Sequence, residues 1–143
     1  MSNIVIVDID GTLADCEHRM EHIKKHPRDW DSFYSLVSGD TPHYEIITMV
    51  NALANEYVIL LMTGRREETR EDTENWLAEH EVVYHALMMR PPGNRDDDHT
   101  WKISIGRMFG LQNIAFVIED RNRIVEAWRN VGVRCIQVAD GPF

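Results

Sequence analysis

The sequence predicts an α/β fold: a mostly parallel sheet with helices on both faces and a small insertion after the first strand. Three observations carry that prediction. Short runs rich in Ile and Val recur along the chain, apolar on both faces, as strands covered by two helical layers must be. Segments with apolar residues at helical spacing alternate with them. The residues able to do chemistry fall just after the strands, where open parallel sheets bind ligands. At 143 residues, a single domain over 1–143 is expected, of a size that buries roughly 68–70% of its unfolded surface.

The elements follow in order. "NIVIVD" (3–8) reads as a fully buried strand. Residues 16–41 are polar and broken by "HP" and "SGD", which predicts an insertion of one helix and irregular loops. Thr41-Pro42 reads as a helix start, Thr as N-cap and Pro in the first helical position. Ile46, Ile47, Val50, Leu53 and Ala54 then share one face. "YVILLM" (57–62) is the second strand and "TGRRE" the loop after it. A polar helix is expected over 69–80 with Trp76 and Leu77 inward, and a third strand over 82–89. The prolines and glycine of "RPPGNRDDD" rule out regular structure and place an exposed loop there. From Asp98 to about Phe109 a helix is expected, with Trp101, Ile105, Met108 and Phe109 on one side and Gly110 as its stop. "NIAFVIED" (113–120) is a further strand. Ile124, Val125, Trp128 and Val131 mark the next helix, Gly132 stops it, and "VRCIQVA" is the last strand.

Charge and cysteine usage narrow the function. The formal net charge is −9, whereas general nucleic-acid binders are usually basic. Non-specific duplex binding is therefore excluded, while recognition of a nucleic-acid end stays open if positive charge gathers locally. Two distant cysteines, Cys16 and Cys135, make no disulfide framework. With no signal-peptide pattern and no long apolar span, a cytoplasmic protein without membrane contact is expected.

The candidate site begins at "DIDGT", where a buried strand runs into two carboxylates. Asp8 and Asp10 are two apart and can face one cavity, with Ile9 turned away. Thr63, Gly64 and Arg65 follow the second strand, and Glu119 and Asp120 end a later one, so all three strand ends meet at one rim. Carboxylates so gathered repel one another, and Mg²⁺, a hard oxygen-seeking cation that couples to phosphate, is the economical counter-charge. Lys102 and Arg65 add positive groups. A carboxylate nucleophile can then attack a phosphate ester, with metal and lysine offsetting the charge. A second carboxyl two residues along can protonate the leaving oxygen and later activate water. Gly11 lets backbone approach the phosphate, and Thr63 can hydrogen-bond its oxygens.

"DIDGT", "TGR", Lys102 and "IEDR", in this order and each after a strand, together resemble the haloacid-dehalogenase-like (HAD) phosphatases. "VIEDRNRIVEAWRNVGVRCIQVADGPF" is similar to the end of the 3′-phosphatase domain of bacteriophage polynucleotide kinase–phosphatases. Arg19, eleven positions after Asp8, and the "R-x-D-D" loop from Arg95 to Asp98 extend that likeness. The resemblance implies a HAD-like fold with a small cap-like insertion at about 16–41. It implies Asp8 as the nucleophile that forms an aspartyl-phosphate, and Asp10 as general acid/base whose main-chain carbonyl also meets Mg²⁺. Asp120 completes the metal site with Asp8, and Glu119, where the resembled enzymes more often have Asp, joins it directly or through water. Thr63, Gly64 and Lys102 hold the phosphate, and Lys102 also steadies Asp8. Arg19, Arg65 and Asp98 shape the substrate pocket.

The implied substrate is a 3′-phosphate at a DNA or RNA end. The alternatives are a phosphatase of mononucleotides or small phosphate esters, and a non-catalytic phospho-receiver-like module. A receiver carries its acidic pair after the first strand and its phosphorylated Asp later, the reverse of the order here. No GxxxxGK[ST] loop occurs, so 5′-phosphorylation is not expected. A homodimer is consistent with the resemblance. His18, His22 and His26 would share a helical face at zinc-binding spacing, but no acid or cysteine completes a set, and a polar surface facing the cleft is the better reading. Trp30 is read either as a base-stacking residue or as packing of the insertion onto the body.

Overall fold

The computed structural model describes residues 2–142. In chain order its elements are β1 (Ile4–Val7), β2 (Ala14–Asp15), α1 (Glu21–Lys24), α2 (Trp30–Ser35), β3 (Thr41–Pro42), α3 (Tyr44–Leu53), β4 (Val58–Arg66), α4 (Arg70–Glu79), β5 (Ala86–Arg90), α5 (Asp98–Phe109), β6 (Ile114–Glu119), α6 (Asn122–Asn130) and β7 (Cys135–Gln137). Five strands form one parallel sheet in the order β5-β4-β1-β6-β7, with β1 at its centre. The predicted α/β class, mostly parallel with helices on both faces, is the observed one.

The alternation of side chains along β1 builds two cores. Val5 and Val7 enter a cluster with Ile47 and Val50 of α3, Ile59 and Leu61 of β4, and Trp76 and Leu77 of α4. Ile6 points the other way, to Leu60, Met62, Trp101 of α5, and Ile124, Val125 and Trp128 of α6. Strands buried on both faces need apolar residues at every position, which is why the run "IVIV" has no polar alternate. Every parallel strand thus delivers its carboxyl end to the same rim.

Several local expectations are corrected. Thr41-Pro42 does not start a helix: it pairs antiparallel with Ala14–Asp15, and α3 begins at Tyr44. His43 N–H donates to Leu13 O at 2.8 Å and its ring Nδ1 to Thr12 O at 3.0 Å, so the segment is tied to the loop after β1 rather than free to cap a helix. "TGRR" is not a loop but the end of β4, with a register irregularity between Thr63 and Arg66. The third strand lies at Ala86–Arg90, later than 82–89, and β7 covers only Cys135–Gln137. In α5 the inward stripe is Trp101, Lys102 and Gly106, not one reaching Met108 and Phe109; Met108 is 81% exposed. The helix is turned because Lys102 reaches inward to carboxylates, and because a Cβ on Gly106 would stand 2.6 Å from the Trp128 ring, so α5 and α6 meet closely there.

Residues 16–40 hold two short helices and two 3₁₀ turns, at Glu17–Arg19 and Val37–Gly39, rather than one helix. Asp29 starts α2, its side chain accepting from Ser32 N–H at 3.0 Å. His18 lies in the first 3₁₀ turn, His22 in α1 and His26 beyond it, so the three share no helical face. Phe143, the last residue of the C-terminal motif, lies outside the described residues. Among the described residues no helix is long and apolar enough to cross a membrane.

Candidate active site

The rim is assembled first by the loop after β1. Ile9 O accepts from the backbone N–H groups of Thr12, Leu13 and Ala14 at 3.1, 2.9 and 3.0 Å, which turns the chain back sharply. Gly11 occupies the left-handed region at φ 83°, and a Cβ there would stand 2.0 Å from Asp120 Oδ2. Only glycine lets the β1 loop and the end of β6 come this close.

Two charged clusters result. In the first, Lys102 Nζ donates to Asp8 Oδ1 at 2.8 Å and to Glu119 Oε2 at 2.9 Å. Thr12 Oγ1 donates to Asp8 Oδ2 at 3.1 Å and lies 3.4 Å from Asp120 Oδ1. Glu119 Oε1 accepts from the N–H groups of Asp120 and Arg121 at 3.1 and 3.4 Å, so both its oxygens are engaged within the protein. Asp8, Glu119 and Asp120 are buried, and each offers an oxygen within 4.8 Å of the others. Burial, then the Glu119 charge, push Asp8 up to about 7 against the pull of Lys102. Burial and the Asp8 charge push Asp120 up to about 7 as well. Lys102 is the reverse: burial alone would lower it, but Asp8 and Glu119 raise it, so it stays a cation. One ammonium thus stands among three buried carboxyls and bonds two of them. The all-oxygen donor set fits a hard divalent cation, which would relieve the strain that raises Asp8 and Asp120.

The second cluster is centred on Asp10. Arg19 Nη2 donates to Asp10 Oδ1 and to Asp40 Oδ2, both at 2.7 Å, and Arg19 Nε donates to Asp40 Oδ1 at 2.8 Å. Arg65 donates to Asp10 Oδ1 from Nε at 3.0 Å and Nη2 at 2.8 Å, to Asp40 Oδ2 at 2.9 Å, and to Thr73 Oγ1 from Nη1 at 3.0 Å. Arg19, Arg65 and Asp40 are buried, while Asp10 keeps 25% of its side chain exposed to the cleft. Two guanidiniums and two carboxylates make a neutral quartet. Burial works to raise Asp10, but Arg65 and Arg19 outweigh it and hold the carboxyl down at about 2.

The cleft above these clusters has a volume of about 1020 Å³ and is lined by Asp8, Asp10, Thr63, Gly64, Asp98 and Asp120 among others. Asp98 lies against Gly64, where a Cβ would stand 2.5 Å from its Oδ1, and it accepts from Arg121 Nη1 at 3.2 Å. Lys102, Glu119, Arg19 and Arg65 stand behind this lining, the arginines turned onto Asp10 and Asp40. All ten residues singled out in the sequence thus gather at one rim. Asp40 was missed. It belongs to an "SGD" tract that reads as a loop break, and its partners Arg19 and Arg65 are 21 and 25 positions away, so no local pattern marks it.

The model of the family described as "Polynucleotide kinase PNKP phosphatase domain" matches residues 2–143. A protein of Autographa californica nuclear polyhedrosis virus, named "Putative bifunctional polynucleotide kinase/RNA ligase", is 28% identical over 137 residues, covering 90% of this chain and 18% of that protein. A solved structure described as the Pnkp1/Rnl/Hen1 RNA repair complex contains a chain of 26% identity and TM-score 0.82, with 99% of this chain and 44% of that one covered. The chain therefore spans less than half the length of these relatives. A HAD family enzyme from Bacteroides thetaiotaomicron, in complex with magnesium and inorganic phosphate, shares the fold at TM-score 0.57 and 11% identity, over 100% of this chain and 97% of that one.

Proposed function

The chain belongs to the family of polynucleotide kinase PNKP phosphatase domains, and is thus a HAD-type phosphatase; from that premise we propose that it is a Mg²⁺-dependent 3′-phosphatase of polynucleotide ends. The observation that carries this reading is the separation of the two motif aspartates. Asp8 is paired with Lys102 beside Asp120, while Asp10, two residues on, sits in a different charge cluster at the same cleft. That separation supports giving attack to one carboxylate and proton transfer to the other.

In this reading an Asp8 carboxylate oxygen attacks phosphorus, the acyl-phosphate bond forms and the bond to the ester oxygen breaks. Lys102 stays charged throughout and offsets the anion. Asp10 gives its proton to the departing oxygen, then takes one from the water that attacks the acyl-phosphate, which frees phosphate and restores Asp8. A general acid must carry a proton when the bond breaks, and two guanidiniums keep Asp10 a carboxylate in the free protein. An arriving phosphate dianion opposes that and favours the protonated form. Asp8, Asp120 and the Asp10 main-chain carbonyl would hold Mg²⁺, which when bound neutralises the gathered carboxylates and the phosphate. Glu119, committed to Lys102 and two backbone amides, positions the lysine.

The names of the relatives, an RNA ligase and an RNA repair complex among them, favour RNA ends and a phosphatase working beside end-joining activities. The free state of Cys16 and Cys135 accords with a reducing, cytoplasmic setting. The test is phosphate release from a 3′-phosphorylated oligonucleotide, a 3′-mononucleotide and a 5′-mononucleotide, each with and without Mg²⁺. The oligonucleotide should be preferred and Mg²⁺ required. Preference for the 5′-mononucleotide would overturn the end-directed reading.

A further inference from the structure

A second, smaller pocket of about 310 Å³ opens beside the catalytic cleft, lined by Trp30, Tyr34, Gly64, Arg66, Arg90 and Arg95 among others. Trp30, Tyr34, Gly64 and Arg90 line both cavities, so the two are continuous. Three arginines and one acid, Glu68, face it, in a chain whose net charge is −9. That is the local concentration of positive charge which a polyanion needs on an otherwise acidic protein.

The arginines are weakly committed elsewhere. Arg66 Nη1 stands 3.9 Å from Asp31, whose side chain is 99% exposed, a pair that water screens. Its guanidinium lies 5.3 Å from the centre of the Tyr34 ring. Arg90 Nε donates to Asn94 Oδ1 at 3.1 Å, and its Nη1 is 3.9 Å from Asp98. The aromatics pack on one another, and the Arg28 guanidinium lies 5.9 Å from the centre of the Trp30 ring. Trp30 and Tyr34 stack at 5.9 Å with an interplanar angle of 22°, and Phe33 meets Trp30 edge-on at 5.7 Å. Trp76, Trp101 and Trp128 are core residues, buried to within 3% of full enclosure, whereas Trp30 stays part-exposed where the two cavities join.

We propose that this pocket is the subsite for the nucleotide on the 5′ side of the terminal one: its base stacks on Trp30, and its phosphodiester is held by Arg66, Arg90 and Arg95. The inference rests on the 3′-end reading above. A single-stranded segment needs a π surface for the base and cations for the backbone, and this pocket offers both next to the phosphatase rim. Its volume lies at the small end of ligand pockets, in keeping with one nucleotide unit rather than a duplex.

The test measures binding and turnover separately. Binding of a fluorescent hexanucleotide ending in a 3′-hydroxyl, as RNA and as DNA, is read by anisotropy for the wild type, Trp30→Ala, Trp30→Phe and the double variant Arg66→Ala/Arg95→Ala. Trp30→Ala should weaken binding roughly 5- to 150-fold, the equivalent of ~1–3 kcal/mol of base stacking, and Trp30→Phe should restore most of it. The double variant, which alters only exposed side chains, should flatten the slope of log K against log salt by ~0.7 for each phosphate no longer neutralised. In turnover, the ratio of kcat/KM for a 3′-phosphorylated hexamer to that for a 3′-mononucleotide should fall in the same variants. Equal binding by all four proteins, or a loss in Trp30→Ala that Trp30→Phe does not recover and the arginine variant does not share, overturns the subsite. Trp30-dependent binding without phosphate release from any 3′-phosphate overturns the 3′-phosphatase reading and leaves the strand-binding pocket standing.

Discussion

Replacing Asp40 by Asn tests whether the buried quartet is a structural unit. Asp40 is 4% exposed and accepts from Arg19 Nε, Arg19 Nη2 and Arg65 Nη2, with His18 Nε2 2.7 Å from Oδ1. Asn has the same shape, but its amide nitrogen is a donor. Whichever way it turns, one side of the group would face the arginine donors with no lone pair. The cluster also passes from neutral to a net positive charge, with Asp10 left to serve two guanidiniums. Breaking one partner out of a buried pair costs ~3–5 kcal/mol. With a urea m-value of ~1–3 kcal/mol/M for small proteins, the midpoint should drop by roughly 1–5 M. The assay is urea unfolding followed by far-UV circular dichroism, with an exposed control such as Asp31→Asn. A loss below ~1 kcal/mol, the range of a surface pair, would refute the claim that these four side chains stabilise one another in a dry environment.

Asp8→Asn should abolish phosphate release, and Asp10→Asn should lower kcat by ~10²–10⁴-fold, the usual worth of a general acid–base; full activity in either would dismiss the assigned roles. Lys102→Met should leave Asp8 and Glu119 buried without their shared cation, losing turnover and stability together, and Lys102→Arg should restore little, since a planar fork does not replace a point charge between two oxygens. The metal-free protein should lose stability as pH rises from 3.8 through about 7, because the folded state holds protons on Asp8 and Asp120 that the unfolded chain has already released. Added Mg²⁺ should raise the melting temperature at pH 8 and have little effect at pH 5, and an equal effect at both would count against a site built from these carboxylates.

The sheet was legible because β1, β4 and β6 are apolar on both faces and because each ends in chemistry-bearing residues, signals that need no long-range information. The short β2–β3 pair was not. Two-residue strands carry no periodicity, and Thr41-Pro42 has a stronger local reading as a helix start than as one half of a bridge to Ala14–Asp15. Met108 and Phe109 look inward by spacing alone. The rotation of α5 is set by the distant acids that Lys102 reaches and by the close approach at Gly106, neither visible within the helix. At the rim, motif spacing marks Asp8, Asp10, Lys102 and Asp120. It does not reveal that Arg19 and Arg65 turn onto Asp10 through Asp40, because that arrangement exists only once residues 16–41 are folded against β4.

The quartet also bears on how a ligand would reach the cleft. Arg19 and Asp40 stand near the two ends of the segment between β2 and β3, and their partners Asp10 and Arg65 stand on the sheet rim. Swinging that segment aside would part the buried Arg19 and Asp40 from Asp10 and Arg65. On the proposed function, the mouth would then be a standing aperture rather than a door, and a strand end would have to be slender enough to thread it. Selection would then rest on what the aperture excludes.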